Sequence, residues 1–183
     1  NWGGGPTLSN AFAALGAFGL PAASLDAALL RTIEGGHTAQ VTGTGAGNVI
    51  VEAYDAGAGL TLRLTNVSAR NRVGTGGDIL IMGFTISPGG PKNLLIRAVG
   101  PTLGDFGVPA VLGDPKLSVF NAAGVKIAEN DSWIPGLAST FSSVGAFALP
   151  VGSKDAALTI SLPAGGYTVQ VVGSDGRTGE ARG

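Results

Sequence analysis

Apolar and polar positions alternate in several short stretches of the chain. The clearest stretch begins at Tyr167, where Tyr167, Val169 and Val171 share one face of an extended strand and the residues between them are polar. The same period of two predicts further strands at residues 116–120, 125–129 and 158–162.

Turn-forming residues separate these stretches and predict a series of hairpins. The predicted hairpin partners are 49–54 with 60–67, 78–86 with 93–99, 116–120 with 125–129, and 158–162 with 167–172. Consecutive hairpins at this spacing are typical of an antiparallel sandwich. We therefore predict an all-β fold, an antiparallel β-sandwich of jelly-roll or immunoglobulin-like type, with short helical turns at its ends.

Three segments depart from simple alternation. Residues 9–15 and 139–144 are rich in Ala or Ser, and we predict one or two turns of helix in each. The wholly apolar run from Ile79 to Met82 is bracketed by Gly77 and Gly83, which favours a central buried strand over a helix.

The chain also repeats itself. Residues 10–29 and 139–158 share eleven of twenty positions at a constant offset of 129 residues, and residues 35–43 and 165–173 share six of nine. Chance would give about one or two identities in each window, so the two stretches are copies of one module.

The repeat predicts the domain organisation. Residues 1–55 match those from about 131 onward, which predicts the C-terminal half of a first β-sandwich repeat, a linker at 56–59, and a second, nearly complete repeat at 60–183. Against residues 48–55, the second copy is expected to lack most of its last strand. We expect both ends to be cut, or to be completed from outside the chain. Open strand edges of this kind favour self-association into a homo-oligomer or filament.

Composition excludes several classes of protein. Hydrophobic residues make up 44% and charged residues 13% of the 183, which is too apolar for intrinsic disorder, and the 32 glycines follow no collagen period. The net charge of −1 is spread without a basic patch, so we expect no nucleic-acid partner. No apolar run is long enough for a membrane span, and the chain has no Cys.

Candidate catalytic chemistry is sparse. His37 is the only histidine, and the second copy has Tyr167 at the matching position, so we predict a packing role for it. The glycine clusters at 43–47 and 74–77 lack the Lys-Ser/Thr of a phosphate-binding loop and are interpreted as turns. We predict no enzyme, no catalytic residue and no cofactor.

Oxygen-bearing side chains leave a calcium site open. Asn130, Asp131 and Asp155 could offer ligands, but two or three oxygens without an acidic cluster make a weak site, and Asx-turns are the favoured interpretation. We therefore assign no metal-binding residue. Asn66 and Asn130 begin glycosylation triplets by pattern.

Two further features concern packing. Trp2 falls near the position that matches Trp133, and we predict that each caps an end of a sandwich, the alternative being an exposed carbohydrate platform. Arg97 stands alone in an apolar strand and is expected to pair with a carboxylate or with carbonyls at the sheet edge.

A set of short phrases carries a family resemblance. In chain order these are 64–70, 73–77, 82–86, 95–101, 114–117, 129–133, 155–158 and 162–168. Together they resemble a β-sandwich repeat of large secreted or surface proteins of Verrucomicrobia-like and related bacteria. The back half is also distantly similar to pre-peptidase C-terminal domains.

The resemblance implies a non-catalytic, extracellular tandem module. It also implies a closing Glu-x-Tyr strand, kept at Glu52 to Tyr54 and expected to be missing after Gly183. Our hypothesis is a structural repeat of a bacterial extracellular or surface protein, able to polymerise by strand complementation. The alternative is a carbohydrate- or matrix-binding module of a larger secreted enzyme.

Overall fold

The computed structural model describes residues 1–45, 47–57 and 64–183. It forms two compact units, Asn1–Asn66 and Val67–Gly183. The predicted linker 56–59, the predicted strand 60–67 and the glycine cluster 43–47 each fall partly outside the described residues. The boundaries drawn from the repeat therefore stay predictions.

The second unit contains eight strands and one α-helix. The strands are β1 (Arg70–Val73), β2 (Leu80–Ile86), β3 (Lys92–Ala98), β4 (Pro115–Asn121), β5 (Lys126–Asn130), β6 (Ala156–Leu162), β7 (Gly165–Gly173) and β8 (Gly179–Arg182). Two 3₁₀ turns, Pro101–Phe106 and Pro135–Leu137, lie between strands, and helix α2 (Ala138–Ser143) follows the second of them. The helix predicted at 139–144 is thus confirmed.

All ladders between these strands are antiparallel. A four-stranded sheet has the order β2-β7-β4-β5, and two further pairs are formed by β3 with β6 and β1 with β8. The predicted all-β antiparallel fold is confirmed. The main core is made by side chains that alternate inward along the ladders, among them Leu117, Val119 and Val171. Each such burial contributes about 1.5–3 kcal/mol to the free energy of unfolding.

Two of the four predicted hairpins, 78–86 with 93–99 and 158–162 with 167–172, are wrong, because those strands lie in different sheets. Only β4 and β5 pair across their connecting turn, where the Asn121 side chain accepts hydrogen bonds from the backbone N–H groups of Ala123 and Val125. Strand β2 pairs with β7, whereas β3 pairs with β6. The turns from β2 to β3 and from β6 to β7 carry the chain from one sheet to another. Beside these turns, Ile86, Leu162 and Tyr167 pack together.

Strand β2 was predicted to be central, and this is also wrong. It forms an edge of the four-stranded sheet. Leu80 is buried and Ile81 is 54% exposed, so only one face of the strand meets the core. An unbroken apolar run does not distinguish a strand covered on two faces from one covered on a single face.

The second unit ends in strand β8, which pairs with β1. The expectation that this copy lacks most of its closing Glu-x-Tyr strand stays a prediction. On its other side, Arg182 exchanges backbone hydrogen bonds with Val99, both 2.8 Å long. Strand β8 is therefore hydrogen-bonded along both edges.

The first unit contains one helix, α1 (Pro6–Leu15), which confirms the helix predicted at 9–15. Pro6 fits the first helical position, where no amide partner is needed. Gly16 ends the helix in the left-handed conformation (φ 70°). The described residues of this unit form no strand, so the strand predicted at 49–54 is not observed.

Candidate functional site

Asp155 is the most densely hydrogen-bonded side chain of the second unit and is completely buried. Its Oδ1 accepts from the backbone N–H of Gly100 at 2.8 Å and of Thr102 at 3.3 Å. Its Oδ2 accepts from the hydroxyls of Thr102 at 2.5 Å and Ser153 at 2.7 Å. A buried carboxylate is stable only when its oxygens are satisfied in this way, so Asp155 fixes the 98–102 loop against the start of β6.

Close backbone approach makes this cluster possible. A Cβ on Gly100 would overlap the carbonyl oxygen of Leu112, so glycine is needed where the chain turns toward Asp155. Pro101 then opens the 3₁₀ turn, which presents the Thr102 N–H and hydroxyl to the carboxylate.

Trp133 joins the cluster from the other side. Its backbone N–H donates to the Asp155 carbonyl at 2.8 Å, and its indole N–H lies 3.2 Å from the Pro150 carbonyl and 3.1 Å from Ser153 Oγ. Its ring packs on Phe141 with centroids 5.5 Å apart. Trp133 is 7% exposed, so it closes the end of the core and does not form an open platform.

Arg97 packs between two aromatic rings beside this cluster. Its guanidinium carbon lies 4.3 Å from the centroid of Phe147 and 5.1 Å from that of Phe141, and its Nη1 donates to the Phe147 carbonyl at 2.6 Å. The predicted pairing with a carbonyl is thus confirmed. Burial, followed by the charge of Arg182, lowers the pKa of Arg97 below its usual range, and the charge of Asp155 opposes this shift.

The first unit contains the same local arrangement around Trp2. The Trp2 backbone N–H donates to the Asp26 carbonyl at 2.8 Å, and its indole N–H donates to the Pro21 carbonyl at 3.0 Å. Its ring lies 5.5 Å from that of Phe12, as Trp133 lies from Phe141. Trp2 is also 7% exposed. Both tryptophans therefore pack on a helix. The predicted cap over a β core is found for Trp133, whereas the described residues of the first unit form no strand for Trp2 to cap.

The carboxylate of this second arrangement is not enclosed. Asp26, the counterpart of Asp155, is exposed. Ser24 corresponds to Ser153, and among the described residues its buried hydroxyl oxygen has no hydrogen-bond partner. The first unit thus holds the Trp, Ser and Asp of the cluster but no counterpart of Gly100 or Thr102 bonded to them.

The strand positions that follow show the same contrast. Leu162 and Val171 of the second unit are 3% and 1% exposed, whereas the matching Ile33 and Val41 are 59% and 56% exposed. Side chains that form the core in one copy are on the surface in the other.

The remaining candidates take simpler roles. His37 is exposed, and its Nε2 lies 2.9 Å from the Glu34 carbonyl oxygen. The packing role predicted for this side chain is therefore wrong in the described part of the chain. Gly74 and Asp78 are joined by backbone hydrogen bonding in a turn that has Gly76 at φ 64°. That glycine cluster is a turn, as predicted.

The side chains considered for calcium do not converge. Asn130 Oδ1 accepts from the backbone N–H of Ser132 and of Ala157, Asp131 is exposed, and Asp155 is saturated by protein donors. In the described part of the chain, no three His, Cys, Asp or Glu side chains are grouped as metal ligands would be. Asn66 is exposed and Asn130 is half-buried.

Sequence reasoning identified Asp155 as a member of an Asx-turn but did not find its partners. Thr102 and Gly100 lie more than fifty residues away in sequence, so local spacing gives no signal for them. The repeat did offer one hint, because the Ser-x-Asp spacing is kept at Ser24 and Asp26.

Comparisons with known proteins add one structural likeness. No protein-family model matches the chain, and no curated protein matches it. Within the described residues, no helix is both long and apolar enough to cross a membrane. The structure is similar to the pre-peptidase C-terminal domain of a collagenase from Bacillus anthracis, at 12% identity and a TM-score of 0.40, over 64% of this chain and 85% of that one.

Proposed function

We propose that this protein is a non-catalytic structural repeat of an extracellular or cell-surface bacterial protein. In this proposal residues 60–183 are one nearly complete β-sandwich repeat, and residues 1–55 are the C-terminal half of another. Repeats join when the strands of one half-module are completed by those of the other half. Joined in series, they form a fibre.

The observation that carries the proposal is the contrast between matched positions. Ile33 and Val41 expose more than half of their surface, whereas Leu162 and Val171 are buried by strands β2, β3 and β4. Exposed apolar side chains at strand spacing, next to unpaired backbone, favour the addition of further strands.

We place the joining surface in the first unit. The open edges predicted from sequence also included the end of the second copy, but β8 is hydrogen-bonded on both sides. Residues 26–54 thus remain the segment available for strand addition.

Sedimentation of the chain tests self-association through this segment. We expect oligomers at about micromolar concentration, formed by strand pairing between the exposed 26–54 segments of separate copies when no free front half is present. We expect Val41→Asp to reduce them, because Val41 matches a core position. Gln40→Asp is the matched control, since Gln40 corresponds to Gln170 on the outward side of β7. A folded monomer throughout this range would contradict joining between separate copies.

The alternative is a carbohydrate- or matrix-binding module of a larger secreted enzyme. Such a module would present a row of exposed aromatic rings on one sheet face. In the parts of the chain that the structure describes, Trp2 and Trp133 are buried, and Phe84 stacks on buried Tyr167. Binding on a glycan array would nevertheless favour this alternative over the structural repeat.

A further inference from the structure

The second unit shows how a back half of this module recognises its front half. Three contacts link the 97–103 segment to the back half: Arg97 with the Phe147 ring and carbonyl, the 100–102 turn with Asp155, and Leu103 with the cluster around Trp133. The 97–103 segment thus contributes a cation, a set of amide and hydroxyl donors, and an apolar side chain.

The first unit keeps the receiving side of all three contacts. Phe18, 58% exposed, matches Phe147; exposed Asp26 matches Asp155; and Trp2 packs on Phe12 as Trp133 packs on Phe141. A groove lined by Trp2, Phe12 and Leu20 lies open beside them. The buried Ser24 hydroxyl, without a partner in the described chain, lies two residues from Asp26.

We propose that residues 1–55 form a binding site for a polypeptide segment of the Arg97–Leu103 type, with Asp26 as the acceptor of its Gly-Pro-Thr turn. This inference rests on the proposed function and specifies the chemistry of the joint. Binding would enclose the Asp26 carboxylate, give the Ser24 hydroxyl an acceptor, and cover the Phe18 ring with a guanidinium.

The occupant is a front half from outside residues 1–183, with the strand pattern of residues 67–130. A second copy of this chain is a poor occupant, because its own Gly100, Thr102 and Arg97 are already bound within the same unit. Exchange would have to displace a covalently linked back half, whose effective concentration is high.

A fused chain tests the proposal with the full protein retained. Residues 67–131 are joined to Asn1, so that Asp131 precedes Asn1 and Trp2 much as it precedes Ser132 and Trp133. Hydrogen exchange is then followed at the backbone amides of residues 28–42. We expect these amides to slow by about 10- to 100-fold relative to the unfused chain, because matched amides in β6 and β7 are ladder-bonded.

Substitutions in the fused chain distinguish binding at Asp26 from strand pairing alone. Asp26→Asn is expected to remove most of the gained protection, and Ser24→Ala a smaller part, while neither changes exchange in the unfused chain. If the fused chain gains protection that Asp26→Asn leaves intact, the Asp26 site is wrong and the repeat function stands. If the fused chain gains no protection at all, both proposals are wrong.

Discussion

Thr102 and Asp155 are joined twice, through the Thr102 backbone N–H and through its hydroxyl, although 53 residues separate them. Both residues are polar, yet both are buried. The pair links the loop after β3 to the start of β6. In the first unit the matching carboxylate, Asp26, is exposed.

Asp155→Asn is expected to lower the free energy of unfolding of the second unit by about 2–4 kcal/mol. In asparagine an NH₂ group replaces one of the two carboxylate oxygens. This donor would then face the N–H or O–H donors that bond to Asp155. Urea unfolding followed by far-UV circular dichroism measures the change, since the strands of the described residues lie in the second unit.

Asp26→Asn in the unfused chain is the matched control. Because Asp26 is exposed, the expected change is within about 0.5 kcal/mol. Equal losses from the two substitutions would show that burial of the carboxylate is not what distinguishes the copies.

Gly179→Ala is expected to destabilise the second unit by about 2 kcal/mol or more. The added Cβ would lie 2.5 Å from the Leu112 backbone nitrogen and 2.7 Å from the Val111 carbonyl, so β8 would have to move away from residues 110–112. Differential scanning calorimetry reports the loss. Gly113→Ala is the control, since nothing lies within 4 Å of its added Cβ, and it should leave the melting temperature nearly unchanged.

Arg97→Met is expected to cost about 1–3 kcal/mol, because it removes the hydrogen bond to the Phe147 carbonyl and the stacking on two rings. Arg97→Lys should recover little, since an ammonium cannot reproduce the planar stacking. Chemical denaturation compares both with Arg72→Met, which alters an exposed residue. Full recovery by lysine would show that charge alone matters at this position.

The carboxyl of Glu129 is expected to titrate below its usual 4.5. Hydrogen bonds from Lys126, and then from Lys116, lower the pKa of Glu129 by stabilising the carboxylate. The associated stabilisation is present above the pKa of the unfolded chain and is lost as the pH falls through the lower folded pKa.

Carbon-13 chemical shifts of the Glu129 carboxyl, followed through an acid titration, measure this pKa. In the Lys126→Met variant it should move back toward 4.5, and further in the double variant with Lys116→Met. An unchanged pKa in the double variant would contradict the assignment to the two lysines.

Part of this architecture was predictable from local pattern. The period of two located the strands from β4 to β7, because each buries one face. The helices at α1 and α2 followed from Ala- and Ser-rich segments beside a tryptophan, and the glycine cluster at 74–77 followed from turn chemistry. The repeat pointed to a matched pair of tryptophans before either environment was known.

Other features required the tertiary structure. Strand partners were misassigned because side-chain alternation fixes which face is apolar but not which strand lies alongside. That β2 is an edge, that β8 is bonded on both sides, and that Asp155 holds residues 100–102 all depend on contacts between distant segments.

The sequence by itself determined that residues 10–29 match residues 139–158, since identity at a fixed offset needs no coordinates. Only the tertiary structure decided that matched positions differ in burial: Asp155 and Val171 are enclosed, whereas Asp26 and Val41 are exposed. The physical reason is that a side chain is buried only when another segment packs against it, so the sequence of its own segment does not determine its burial. Val171 lies between strands β2 and β4, whereas the described residues around Val41 form no strand.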